Sequence, residues 1–178
     1  MTAVDARRER ADLWRRARAL DGVEDYARSS RARLLARRMR PANATMDYRA
    51  VVEAPVWAGW SAAERRRLAS TAGAVLMAER LSSTIDGRTL GGVAAAIGEA
   101  ALDHVLTLTA DDRPEPPPLG SLEPAVLEGL GAAALLAGLS GPTAERLGRD
   151  MAEPLLRLDS EQAAAARYQA LRIAEAVA

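Results

Sequence analysis

The stretch Thr89-Leu90-Gly91-Gly92-Val93-Ala94-Ala95-Ala96-Ile97-Gly98-Glu99-Ala100-Ala101-Leu102-Asp103-His104-Val105-Leu106-Thr107-Leu108 decides the fold class. Its apolar residues Leu90, Val93, Ala94, Ile97, Ala101, Val105 and Leu108 recur at spacings of three, one, three, four, four and three. Those intervals trace one face of an α-helix, and no strand-like alternation competes with them. The stretch therefore predicts a helix from near Thr89 to Leu108, after a turn at Asp86-Gly87.

The same period extends in both directions. Upstream, Ser61-Ala62-Ala63-Glu64 has the form of a capping box, with Trp60 placed to staple it. It opens a predicted helix to about Leu81, with Leu68, Ala69, Ala72, Val75 and Leu76 facing in. Downstream, Pro114, Pro116, Pro117 and Pro118 make Asp111 to Gly120 a stiff extended loop. Ser121 or Leu122 then leads into a helix with Val126, Leu127, Leu130, Ala134 and Leu135 inside, closed by Gly138 and Gly141. Pro142 suits a first helical position, so a short helix is expected to about Met151 before Pro154 interrupts. The last helix is expected from Asp159-Ser160 to the C-terminus, with Ala163, Ala166, Leu171, Ala174 and Val177 on one side.

The N-terminal part is different in kind. Val4 to Leu20 reads as a helix with a narrow stripe of Leu13, Trp14, Ala17 and Leu20. Asp21-Gly22 breaks it, and a second helix runs to about Met39, ended by Pro41. Residues 1–40 hold 12 Arg against six acids, so in a neutral chain the remainder carries the opposite excess of six. Such a split suits an internal contact or an acidic partner. The expected fold is all-α: a compact helical bundle of about five helices with a basic N-terminal helix pair. Residues 1–40 form the basic segment, 41–60 a linker carrying Trp57 and Trp60, and 61–178 the helical core domain.

Composition fits this plan. Of 178 residues 49% are hydrophobic but only 3% aromatic, so Ala and Leu, both strong helix formers, must fill the interior. Gly73, Gly91, Gly92, Gly98, Gly129 and Gly131 fall inside helical patterns, where each costs about 0.5–1 kcal/mol against Ala. Close helix approach is the expected compensation. All the basic residues are Arg, which a GC-rich genome explains more simply than selection for bidentate contacts.

The chemistry expected of such a chain is sparse. His104 stands alone and there is no Cys, so neither a zinc site nor a thiolate nucleophile can be assembled. Asp111-Asp112 in a loop could hold a cation. Glu99 and Asp103 are like charges one helical turn apart, and both pairs read as surface charge. Gly91-Gly92 lacks the Lys and Ser/Thr of a phosphate loop. No cofactor and no catalytic residue is expected. The longest apolar tract, Pro124 to Leu139, is interrupted by Glu128 and falls short of the ~20 residues that cross a bilayer. With no apolar leader at the N-terminus, a cytoplasmic, non-enzymatic protein is expected.

One resemblance rests on particular residues. Leu68-Ala69-Ser70-Thr71-Ala72-Gly73-Ala74-Val75-Leu76 is followed by Leu81, Ile85-Asp86-Gly87 and Leu90. Ile97-Gly98-Glu99 and Leu102 to Leu106 come next, then a proline-rich gap, then Leu130-Gly131-Ala132-Ala133-Ala134-Leu135, Arg146-Leu147 and Pro154. In this order, from Arg67 to Pro154, they resemble the SctK/YscK family, accessory proteins of the type III secretion sorting platform. The resemblance covers about half of the chain. It implies a mostly helical cytosolic adaptor without catalytic residues, joining the cytosolic face of a membrane ring to the ring-forming platform component.

The partner-binding candidates are Arg15, Arg16, Arg37, Arg38, Trp57 and Trp60, since Trp and Arg dominate interface hot spots. Two other functions compete with the adaptor. One is a nucleic-acid-binding regulator using Arg7 to Arg40, against which the interleaved acids count. The other is a small-ligand module with a pocket between the Gly-containing helices.

Overall fold

A computed structural model describes residues 11–16, 54–139 and 141–177. Among the described residues every regular element is helical, and no strand occurs. The helices are α1 (Ala62–Leu76), α2 (Ala78–Ser83), α3 (Gly87–Ile97), α4 (Glu99–Leu106), α5 (Pro124–Leu136), α6 (Gly141–Gly148) and α7 (Ser160–Ala176). Residues 11–16 are also helical, and single 3-10 turns cover Val56–Gly59 and Ala110–Asp112. The chain divides into two compact units. The first is Met1–Ser61 with Gly141–Leu147, and the second is Ala62–Ser140 with Gly148–Ala178. The expected second N-terminal helix lies outside the described residues.

In the second unit α1 is the central helix. It packs chiefly on α5, and also on α7, α3, α4 and α2. The contact with α5 depends on two glycines. A Cβ built at Gly131 would stand 1.6 Å from the Ala69 carbonyl oxygen and 2.8 Å from the Gly73 nitrogen. A Cβ at Gly73 would stand 1.9 Å from the Leu127 carbonyl oxygen. Backbone thus lies on backbone, and Leu68, Ala72, Val75, Leu127, Leu130, Ala134 and Leu135 are buried. This is the close approach expected of the helical glycines. It does not extend to Gly91, which has no heavy atom within 4 Å of its would-be Cβ.

Two predicted helices prove to be broken. The helix expected over Ser61 to Leu81 is interrupted at Met77 (φ −105°, ψ 13°), whose N–H is shared by the Gly73 and Ala74 carbonyls at 3.1 Å each. The helix expected over Thr89 to Leu108 turns at Gly98 (φ 95°, ψ 148°), a conformation that L side chains rarely adopt. The polar groups of Gly98 stay paired: its N–H donates to Ala94 at 2.7 Å and its carbonyl accepts from Leu102 at 3.0 Å. The kink costs little hydrogen bonding, and Val93, Ile97, Ala101, Leu102 and Val105 are buried on both sides of it.

Helix starts follow local chemistry. Asp159 caps α7 by accepting from Glu161 N (2.9 Å) and Gln162 N (2.8 Å). Pro124 opens α5 at a position that needs no N–H, a little beyond the expected Ser121 or Leu122. Asp86, expected in a turn, is the cap of α3 and accepts from Arg88 N, Thr89 N and the Thr89 hydroxyl. These bonds favour the carboxylate, first through the Thr89 hydroxyl, and hold its pKa below the ordinary value near 3.8. A depressed folded pKa means that in mild acid the unfolded chain takes up the proton first. Stability from this cap is therefore complete above the unfolded value and is lost as pH falls through the folded one. Asp86→Asn should lose less stability than the parent between about pH 5 and pH 3, read by thermal melts across that window.

The buried face of α7 differs from the expected one. Ala163 and Ala166 point in as predicted, but Gln169, Ala170 and Ile173 complete the face, while Leu171 and Ala174 are half-buried and Val177 is exposed. The step of five from Ala166 to Leu171 leaves the helical stripe, whereas Ala163, Ala166, Ala170 and Ile173 keep it. Buried Gln169 donates to the Asp112 carboxylate at 3.0 Å, and Gln162 donates to the Glu115 carbonyl at 3.1 Å. Together they tie the proline-rich loop to α7. Within that loop Pro114 and Pro117 are buried and Glu115 and Pro118 exposed, the three-residue period of a polyproline helix with one edge turned in.

Candidate partner-binding surface

The first unit brings together residues some forty positions apart in sequence. Pro55 is extended and leads into the turn Val56–Gly59, closed by Trp60 N donating to the Trp57 carbonyl at 3.1 Å. Helical residues 11–16 rest on this turn. A Cβ at Gly59 would stand 3.1 Å from Arg15 Cβ and 3.2 Å from Arg16 N. Arg16 extends one guanidinium N–H to the Ala54 carbonyl at 2.8 Å. Four of the six candidate residues, Arg15, Arg16, Trp57 and Trp60, thus belong to one neighbourhood. Arg37 and Arg38 lie outside the described residues.

Their roles within it are unequal. Trp57 is only 1% exposed, so its ring is a packing element here and is not offered to a partner. Its indole Nε1 and the Nε of Arg16 are buried without an acceptor among the described residues. Trp60 is half-buried. Arg15 is the outward-facing member: its side chain is 61% exposed and pairs with Asp12. An exposed pair of this kind contributes little to stability, which leaves the guanidinium available to an incoming acid.

Trp14, counted in the narrow apolar stripe with Leu13, Ala17 and Leu20, is 69% exposed. The signal was present in the spacing. Leu13, Ala17 and Leu20 are four and three apart and form a stripe by themselves, and Trp14 stands about 100° away from it. Val56, on the adjoining turn, is 57% exposed.

Elsewhere the candidate chemical groups do not converge. His104, Glu99, Asp103 and Asp111 are all exposed. Asp112, half of the loop pair considered for a cation, is held internally by the Thr109 hydroxyl at 2.7 Å and by Gln169. Among the described residues no three His, Cys, Asp or Glu side chains gather as a metal site would require. Among them, too, no helix is long and apolar enough to cross a membrane. Comparison with known proteins finds no family model, no curated protein and no solved structure that matches the chain.

Proposed function

We propose that this protein is a non-enzymatic cytoplasmic adaptor, an accessory component of a type III secretion sorting platform. In that role it would join the cytosolic domain of a membrane ring to the ring-forming platform component. One observation carries the proposal. The segments on which the family resemblance rests, Leu68 to Leu76 and Leu130 to Leu135, contain the glycines of the α1–α5 crossing. At Gly73 and Gly131 the shared small residue answers a steric requirement, where composition alone would impose none. The outward-facing Trp14 and Arg15 are of the residue types that dominate interface hot spots.

The test is reconstitution. The full chain is mixed with the purified cytosolic domain of the membrane ring and with the purified ring-forming component, then followed by size-exclusion chromatography. Co-elution with both, weakened by added salt, is the expected result. Failure to bind either component at micromolar concentration would remove the adaptor assignment.

A further inference from the structure

The segment between α6 and α7 is held on the central helix pair in the way a protein holds a bound peptide. Residues 151–159 have no regular secondary structure, and Pro154 keeps Glu153 before it out of the helical region. Four fastenings secure this strap. The Asp150 carboxylate accepts from Arg65, whose side chain on α1 is only 4% exposed. The Asp150 carbonyl accepts from Arg66 Nε at 2.9 Å, and Ala152 N donates to the Glu128 carboxylate of α5 at 3.2 Å. Leu155 fills the notch over Gly129, where a Cβ would stand 2.6 Å from its Cγ. Two of the four engage main-chain groups that every peptide has. The other two read a carboxylate and, five residues later, a leucine. For stability alone an apolar side chain at position 65 would serve as well, because desolvating a guanidinium offsets most of the attraction in its ion pair. The charge adds selectivity: a segment without an acid at this place would cover α1 only by leaving this bond of Arg65 unmade. The strap itself is lightly secured. Among the described residues the one main-chain bond of 151–158 runs from Met151 N to the Gly148 carbonyl at 3.2 Å, and Glu153, Pro154, Leu155 and Arg157 are exposed.

We infer that the surface of α1 and α5 beneath residues 150–155 is a peptide-binding groove, closed in the free chain by its own strap, and that its ligand is a partner segment with an Asp and, five residues on, a Leu. The partner's carboxylate replaces that of Asp150 on Arg65. Its backbone takes Arg66 and Glu128, and its leucine takes the Gly129 notch. The strap is tethered at both ends and competes as an intramolecular ligand, so partner binding is graded by how firmly the strap is held. The groove lies wholly within the second unit and does not depend on the adaptor assignment.

The test is fluorescence anisotropy with the full chain and a labelled peptide of residues 148–157, Gly-Arg-Asp-Met-Ala-Glu-Pro-Leu-Leu-Arg. Asp150→Asn with Leu155→Ser loosens the strap and leaves Arg65, Arg66, Glu128 and Gly129 in place. The loosened chain should bind the peptide about tenfold or more tighter than the parent does. The same two changes made in the peptide should weaken its binding to the loosened chain by about tenfold or more. Arg66→Glu, at an exposed position, should weaken it as well. Equal binding by parent and loosened chain, or binding indifferent to the changes in the peptide, would overturn the inference. So would no binding to a loosened chain whose thermal melt shows it folded. Should the loosened chain fail to fold, hydrogen exchange of the parent decides. An Ala152 amide that exchanges well before those of α1 and α5 supports a strap that opens alone, and exchange in step with them overturns it.

Discussion

Replacing Gly131 by Ala will remove about 3 kcal/mol or more of unfolding free energy, at or beyond the upper end of ordinary overpacking. The added methyl would sit 1.6 Å from the Ala69 carbonyl oxygen. That oxygen belongs to the backbone of α1 and cannot rotate away as a side chain would. Relief requires α1 and α5 to separate, and separation loosens every buried contact between Leu68, Ala72, Leu127, Leu130 and Ala134 at once. Gly73→Ala meets the Leu127 oxygen and should behave similarly. In a chain of this size the loss lowers the melting temperature by roughly 6–12 °C. Gly91→Ala supplies the control. Its new methyl meets nothing within 4 Å, so the ordinary helix preference prevails and stability should rise by about 0.5–1 kcal/mol. Opposite signs at two helical glycines, read by urea unfolding, are the signature of the crossing. Equal, small effects would mean that the helices are not in backbone contact.

Loss of the Asp150 carboxylate is the second large effect. Arg65 is buried on α1 and donates to this carboxylate, while Arg66 Nε reaches the Asp150 carbonyl at 2.9 Å. A few residues on, Ala152 N donates to Glu128 of α5 at 3.2 Å. The segment after Gly148 is thus fastened to both helices of the central pair. Asp150→Ala takes a charged partner from a buried guanidinium and should cost about 2–3 kcal/mol. The carboxylate is 37% exposed, so water shares in its bonding and keeps the effect below that of a fully buried pair. Asp150→Asn keeps an acceptor and should cost less. Adding Arg65→Met to Asp150→Ala should recover most of the loss, because the charge that needed a partner is then gone. A cost under about 0.5 kcal/mol for Asp150→Ala would class the bond with ordinary surface pairs.

What the sequence revealed was whatever depends on near neighbours. Asp159 before Ser160 and Pro124 at a first turn are local chemistry, and the helices begin at or close to the predicted places. Helical spacing named the inward residues of α1 and α5 correctly apart from Val126, which is half-buried, because Leu68, Ala72, Leu127 and Leu130 repeat at regular intervals. It failed where one residue resets the geometry. Gly98 carries no mark that distinguishes a positive φ from a tolerated helical glycine, and Gly91 looks the same in the sequence yet stays helical. Arg65 sits in a run with Arg66 and Arg67, and helical spacing from Leu68, Ala69 and Ala72 puts Arg65 alone of the three on the inward face. What the spacing does not name is its carboxylate partner, Asp150, 85 positions away. The candidate surface was legible in the same partial way. Basic charge and Trp located the neighbourhood, but which ring faces water depends on the fold of a four-residue turn that Pro55 and Gly59 only hint at.

The orientation of the proline-rich loop has a consequence for any search by motif. Pro114 and Pro117 match the spacing that SH3- and WW-type readers grip, so a scan would mark this stretch as bait for such modules. Those modules need the edge that is turned inward here, with Gln162 holding a carbonyl beside it. While the domain stays folded, the stretch is a sealed seam, and only denatured chains would display it.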